Sequence, residues 1–332
     1  DLMAEQPAAY GIHGEVRELE IRAGRADVRV RAGDAWRLDL PPQAEVSQEG
    51  SRVRIQMPRR AGLLFAALQA AELEVTVPAT LAGYYVRTTG DVGLTGLAAS
   101  GRVEVKAGDV RADSCSGELV IQSGAGDVEV VGHRGSLTIQ SGAGDIEVRD
   151  GTLETLKLRS GAGDVDCAAR ISRQATIHTG AGSVTLRPET DGDAEIEVQS
   201  GFGDISLHLD GVRGGRLEMQ TGAGSIDGDV GIRFGRRGGI GVHSADVLGP
   251  GSGRIRLTTG AGSIRLHGEP RAAEAAPARP AGPPGPAAEA GPTGPRAPAA
   301  PARRFGDARE VLEALARGEI TTDEADRLLR EM

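Results

Sequence analysis

The chain has 332 residues, 50 of them glycine, only 2% aromatics and a formal net charge of −9. So few aromatics exclude a wide globular core and imply a thin interior of Val, Ile, Leu and Ala. Acids and bases interleave, which favours solubility and leaves no basic face for a nucleic acid.

Residues 1–13 read as a disordered start. They contain no basic segment followed by an apolar run, so no signal peptide is expected. The chain is therefore expected to be cytoplasmic, or envelope-associated or at the surface if a targeting segment has been removed. The longest apolar stretch, Gly62 to Leu68, is too short for a bilayer, so no transmembrane segment is expected.

Residues 14–88 read as an irregular β-rich part. Glu18 to Arg22 and Ala26 to Val30 form an early version of the phrase described below, and Trp36 to Leu40, Arg52 to Met57 and Glu72 to Val77 are further strands. Between the last two, Arg59 to Ala71 is apolar and free of β-branched residues, which predicts a short helix near 60–71. Its Leu63, Leu64, Phe65 and Leu68 would cover the raw end of a strand stack or form an interface.

From residue 89 to 268 one phrase recurs: Ser or Thr, Gly, a small residue, Gly, Asp or Ser, then Val or Ile. Ser123 to Val128, Ser141 to Ile146 and Thr259 to Ile264 are clear copies, and Ala245-Asp246-Val247 is a degenerate one. The Asp/Ser positions, from Asp91 to Ser263, are spaced by 18, 18, 18, 19, 19, 21, 21, 21 and 17 residues. A period near twenty predicts stacked coils that bury their apolar edges against each other: a parallel β-solenoid of about ten coils.

Within one coil, Leu137, Ile139, Ser141 and Ala143 alternate as the buried face of a strand, and the parity then shifts to Ile146 and Val148. The chain must bend between two short strands at Gly142 and Gly144, with Ala143 small enough for the inside of the corner. Two inward columns follow in chain order. One runs Ile121, Ile139, Leu158, Ile177, Val198, Met219, Ile240 and Leu257; the other runs from Val92 and Val110 through Ile205, Ile226 and Val247 to Ile264. Cys167 follows Val165 in this rhythm and reads as a small core residue; with Cys115 it forms no metal spacing and no disulfide framework.

Asp91, Asp109, Asp127, Asp145 and Asp164 fall in successive coils. They could form a Ca²⁺ ladder, but calcium-binding glycine-rich repeats place Asp two residues after the Gly, whereas here it follows directly. Free exchange with Ser at 183, 225 and 263 favours hydrogen bonding to corner N–H groups, so no metal and no cofactor are expected. His178, His208 and His267 read as outward positions in separate coils. No nucleophile–base pair, phosphate loop or acid pair stands out, and the reading is non-enzymatic.

Residues 269–302 carry ten of the 17 prolines with Ala and Gly, a disordered linker favouring extended conformations. Residues 303–332 read as a helical hairpin: a capping box at Asp307 to Glu310, a break at Gly318 and a second cap at Thr321 to Glu324. Its apolar Val311, Leu312, Leu315, Ile320, Leu328 and Leu329 are too few to be stable alone, which implies docking on another surface, most economically a second copy.

The repeated phrase, with the entering strand Leu73 to Pro78, resembles a bacterial β-strand-repeat family known as "putative adhesin" over residues 14–268. Residues 311–329 resemble the short C-terminal (SHOCT-like) hairpin that some members carry, including proteins tied to envelope-stress sensing. The resemblance implies a non-catalytic scaffold for protein assembly or envelope-linked sensing. The alternatives are surface adhesion or carbohydrate binding, a cytoplasmic polymer similar to bactofilins, and a solenoid enzyme acting on polysaccharide.

Overall fold

The computed structural model describes residues 12–58, 71–228, 242–249 and 251–268, and these residues are all-β, without a helix. The expected helix near 60–71, with Leu63, Leu64, Phe65 and Leu68, lies outside the described residues. So do the linker, the C-terminal hairpin with Val311, Leu312, Leu315, Ile320, Leu328 and Leu329, and most of residues 1–13.

One coil shows the plan. The strand Ser116–Ser123 runs to a corner at 124–127, the strand Val128–Val131 follows, and a turn leads to the next coil at Arg134. Equivalent strands of successive coils pair in parallel, Ser123 opposite Ser141 and Val128 opposite Ile146. Two parallel ladders result, as the constant repeat length and the period-two pattern require.

Both inward columns are closed to solvent over most of their length, and Ile226 on the outermost rung is half-buried. Ile121, Ile139, Leu158, Ile177, Val198, Leu257 and Met219 are fully buried, and so are Val110, Val128, Ile146, Val165, Val184, Ile205 and Ile264. Each such side chain contributes about 1.5–3 kcal/mol by leaving water. Cys167 lies in the same core, fully buried, and the Cys115 thiol is also free and buried. Ala143 differs from expectation: burial ends at Ser141 and Ala143 points outward. The strand's parity breaks at the first corner glycine, so the small residue lies on the outside of the bend.

The corner needs both glycines. Gly144 has φ +114°, and a β-carbon there would overlap the carbonyl oxygen of Gly126 in the neighbouring coil. A β-carbon at Gly142 would likewise overlap the carbonyl of Gly124. The coils thus approach along a line where only backbone fits.

The stacking order departs from chain order at both ends. At one end Glu18–Gly24 lies between Arg52–Gln56 and Gly83–Thr88, and Asp27–Gly33 between Glu72–Pro78 and Val92–Thr95. At the other end Arg254–Ala261 lies between Glu195–Phe202 and Gly215–Ala223, and Ile264–His267 between Ile205–His208 and Ile226–Gly228. The columns expected to run 205, 226, 264 therefore run 205, 264, 226. Ala245-Asp246-Val247 is not a corner: it belongs to the strand Val242–Gly249, which pairs antiparallel with Gly215–Ala223, and Val247 is 65% exposed. Ile240 lies outside the described residues.

Antiparallel strands also finish the other end, where Arg37–Asp39 lies on Glu72–Pro78 and Glu45–Glu49 on Arg52–Gln56. Such strands shield the raw edge of a parallel stack.

Gly144→Ala is expected to destabilise the chain by about 3 kcal/mol, the sum of a disfavoured φ and an overlap with immovable backbone. Gly50→Ala, at φ +58° with open space around it, is expected to cost only about 1 kcal/mol. Denaturant midpoints of the two variants check this; equal shifts would remove the close-approach explanation.

Candidate functional site

The regular line of chemical groups is the corner column. The Asp27 carboxylate accepts the backbone N–H of Asp91 at 2.9 Å, and Asp91 accepts that of Asp109 at 2.9 Å. Asp109 accepts from Asp127 at 2.9 Å, Asp127 from Asp145 and Asp145 from Asp164, both at 2.8 Å. Asp164 accepts from Ser183 at 2.7 Å and Asp204 from Ser263 at 2.8 Å. Each carboxylate thus bonds the backbone of the adjacent coil, and Ser can replace Asp where only the N–H is needed. Among the described residues no group of three or more His, Cys, Asp or Glu side chains converges as metal ligands.

Beneath the corner runs a buried hydroxyl column. The Thr221 hydroxyl donates to the carbonyl of Gly262 at 2.8 Å, Thr259 to that of Gly203 at 3.0 Å, and Ser141 to that of Ala143 at 3.2 Å. The Ala143 carbonyl also accepts the N–H of Gly126 at 3.1 Å, so the Ser141 hydroxyl adds a second donor there.

A third inward column, which the sequence reading missed, lies in the turn between coils: Leu97, Cys115 and His133, all almost fully buried. Their carbonyls accept the N–H groups of Ser116, Arg134 and Thr152 in turn. The signal was available, because the three residues recur every 18 positions just before the next coil, but Leu, Cys and His share no side-chain type. Burial pushes the Cys115 thiol up and the His133 imidazole down, and it pushes the fully enclosed Cys167 up to about 12. Neither thiol is a nucleophile in this setting.

The outer faces carry interlocked charges. Arg111 pairs with Glu129 and Arg149 with Glu147; Arg187 pairs with Asp166 at 2.7 Å and Arg173 with Glu154 at 2.7 Å. Glu20 is the most buried acid among the described residues; burial alone would raise its pKa, but Arg54 at 3.0 Å and Arg22 at 2.7 Å hold it below the usual carboxylate range.

A polar cleft of about 700 Å³ opens on the turn side. Arg170 reaches Asp191 there at 2.8 Å and Arg213 reaches it at 3.9 Å, beside Arg187, His208 and Asp210. His208 and His267, expected in separate coils, stack with ring centroids 4.8 Å apart because 254–267 is inserted beside 205–208. Partial burial, Arg187 and His267 hold His208 below the ordinary imidazole value. The cleft can hold a polar ligand by hydrogen bonds, but it contains no nucleophile beside a base. His178 lies separately on the other ladder, paired with Arg159 and Gln199. Phe202 takes the place of alanine in the outward corner column and stands 69% exposed.

Parallel coils joined by glycine corners and an Asp-to-backbone ladder define a β-solenoid repeat protein. Residues 16–234 match the Toastrack DUF4097 family, and the chain belongs to that family. Two solved structures are similar over 76% of this chain. A "putative cell adhesion protein" from Clostridium sporogenes ATCC 15579 is 10% identical with a TM-score of 0.22, covering 92% of its own chain. A "putative adhesin" from Bacteroides fragilis NCTC 9343 is 13% identical with a TM-score of 0.24, covering 93% of its own chain. No curated protein matches the chain.

Two measurements test these roles. Asp127→Ala is expected to lose about 1–2 kcal/mol because the N–H of Asp145 loses its acceptor, whereas Asp127→Asn keeps most of it; millimolar Ca²⁺ is expected to leave the melting curves of all three proteins unchanged. His133 is buried with a lowered pKa, so the unfolded chain binds the proton more tightly. Its share of stability is present above the unfolded imidazole value of about 6.5 and is lost as pH falls through it. His133→Leu, which copies Leu97, is expected to flatten the fall in Tm between about pH 7.5 and 5.5. An unchanged slope would show that His133 does not carry the acid sensitivity.

Proposed function

We propose that this protein is a non-catalytic β-solenoid scaffold for protein–protein assembly. The solenoid supplies a rigid surface, and residues 303–332 recruit a second copy or an envelope-associated partner. The observation that carries the reading is the corner ladder. The regular array of carboxylates at the corners is committed to holding neighbouring coils, and both thiols are sealed in the core. A stiff stack of equivalent coils suits presentation and docking. The likeness of residues 311–329 to the SHOCT-like hairpin supports envelope-linked stress sensing as the setting. Surface adhesion or carbohydrate binding is the second reading, favoured by the polar cleft around Arg170, Asp191 and Arg213.

Light scattering on the full chain and on a chain ending at residue 302 tests the assembly role. A larger mass that reverts to monomer on truncation, or an envelope protein captured by the full chain and not by the truncated one, is expected. A monomer in both forms with no captured partner would remove the assembly role. Retention on a glycan array that survives the truncation and is lost in Arg170→Ala/Arg213→Ala would favour the second reading.

A further inference from the structure

The coils 215–228 and 254–267 are near copies. Arg216-Leu217-Glu218-Met219-Gln220-Thr221-Gly222-Ala223-Gly224-Ser225-Ile226 stands beside Arg254-Ile255-Arg256-Leu257-Thr258-Thr259-Gly260-Ala261-Gly262-Ser263-Ile264. Inward residues, buried threonines, corner glycines and the corner serine are equivalent. Either coil could therefore stack on 195–208 with the same strand pairing and the same N–H for the Asp204 carboxylate. Stacking in chain order, 195–208 then 215–228 then 254–267, would preserve the number of coil-to-coil interfaces. The strand Val242–Gly249 could still cover the end, as an antiparallel neighbour of 254–261 reached through a short turn. Apolar packing does not choose between the two orders.

Charge does. The coil 254–267 carries Arg254, Arg256 and Arg265 and no acid, while 195–208 carries Glu195, Glu197 and Asp204 and neither Lys nor Arg. In the observed order Arg256 lies opposite Glu197 on one side and Glu218 on the other, and it pairs with Glu218 at 2.9 Å. On the second ladder Arg265 lies opposite Asp227 and pairs with Asp204 at 3.0 Å. Chain order would instead bring Glu197 against Glu218 and Asp204 towards Asp227. Directly opposed like charges destabilise a strand pair about as much as unlike charges stabilise it.

We propose that charge, rather than chain order, sets how the last coils stack. The basic coil 254–267 is drawn between Glu197 and Asp204 on one side and Glu218 and Asp227 on the other. Arg254 lies opposite Arg216 as well as Glu195, but chain order would keep that like-charge pair, so it does not decide between the two. This coil leads directly into residues 269–332, so whatever binds that segment pulls on an interior rung instead of a fraying end.

Disulfide trapping reads the order directly. Neighbouring parallel strands lie ~4.8 Å apart, within disulfide range, whereas strands two rungs apart, at ~9.6 Å, are beyond it. Gln199→Cys with Thr258→Cys is expected to cross-link in the full chain, and Gln199→Cys with Gln220→Cys is not; Cys115 and Cys167, being buried, stay silent. Both pairs are then placed in a charge-exchanged chain carrying Glu218→Arg, Asp227→Arg, Arg256→Glu and Arg265→Asp. The ratio of the two cross-links is expected to reverse by about tenfold or more in favour of 199–220. A 199–220 cross-link in the original chain would overturn the proposal, as would persistence of 199–258 after the exchange. Absence of both cross-links from an exchanged chain that keeps its β circular dichroism would overturn it too.

Discussion

The approach of one coil to the next at the glycine corner is the constraint on which this structure depends. Gly126, Gly144 and Gly163 each hold positive φ, and each would place a β-carbon onto the carbonyl of the glycine in the neighbouring coil. Removing those β-carbons lets successive corners close to strand spacing. The Asp carboxylate can then reach the neighbouring N–H at 2.7–2.9 Å, and the aliphatic columns are buried between the ladders. The carboxylate ladder, the hydroxyl column and the core are consequences of one geometric allowance, repeated.

Most of the fold could be read from residues because the repeat carries it redundantly. Parity within Leu137 to Val148, the phrase spacing and the like-for-like columns each predict parallel stacking. The exchange of Asp with Ser pointed to bonding with corner N–H groups, which the carboxylates of Asp91, Asp109, Asp127, Asp145 and Asp164 make; Ser183 and Ser263 enter the ladder through their own N–H instead. Two features could not be read for a shared reason: equivalent coils look alike. Nothing in the pattern of Ile226 and Ile264 says which lies nearer Ile205, so chain order was the default and was wrong. The stack of His208 on His267 was invisible for that reason. The turn column of Leu97, Cys115 and His133 escaped notice for the opposite one, since buried positions that share no residue type give no periodic signal.

Tucked ends change the mechanics of a repeat protein. In a simple one-dimensional array the terminal repeats have one neighbour each and fray first. Here the described strands nearest the two termini, Glu18–Gly24 and Ile264–His267, have a parallel partner on each side, and the outermost rungs are made by internal chain. Opening an outermost rung therefore frees a loop and not a tail, so the chain gains less conformational entropy than a free end would.

That arrangement also places demands on folding. A coil inserted between two others cannot simply add to a growing stack. Either the outer coil waits, or it docks in chain order and is displaced. Non-local pairing of this kind slows folding because loop entropy is lost before contacts are gained. Complementary charge between 254–267 and its neighbours acts at longer range than packing and is insensitive to small errors of register. It can bias the order before the aliphatic columns lock, which packing between near-identical coils cannot do.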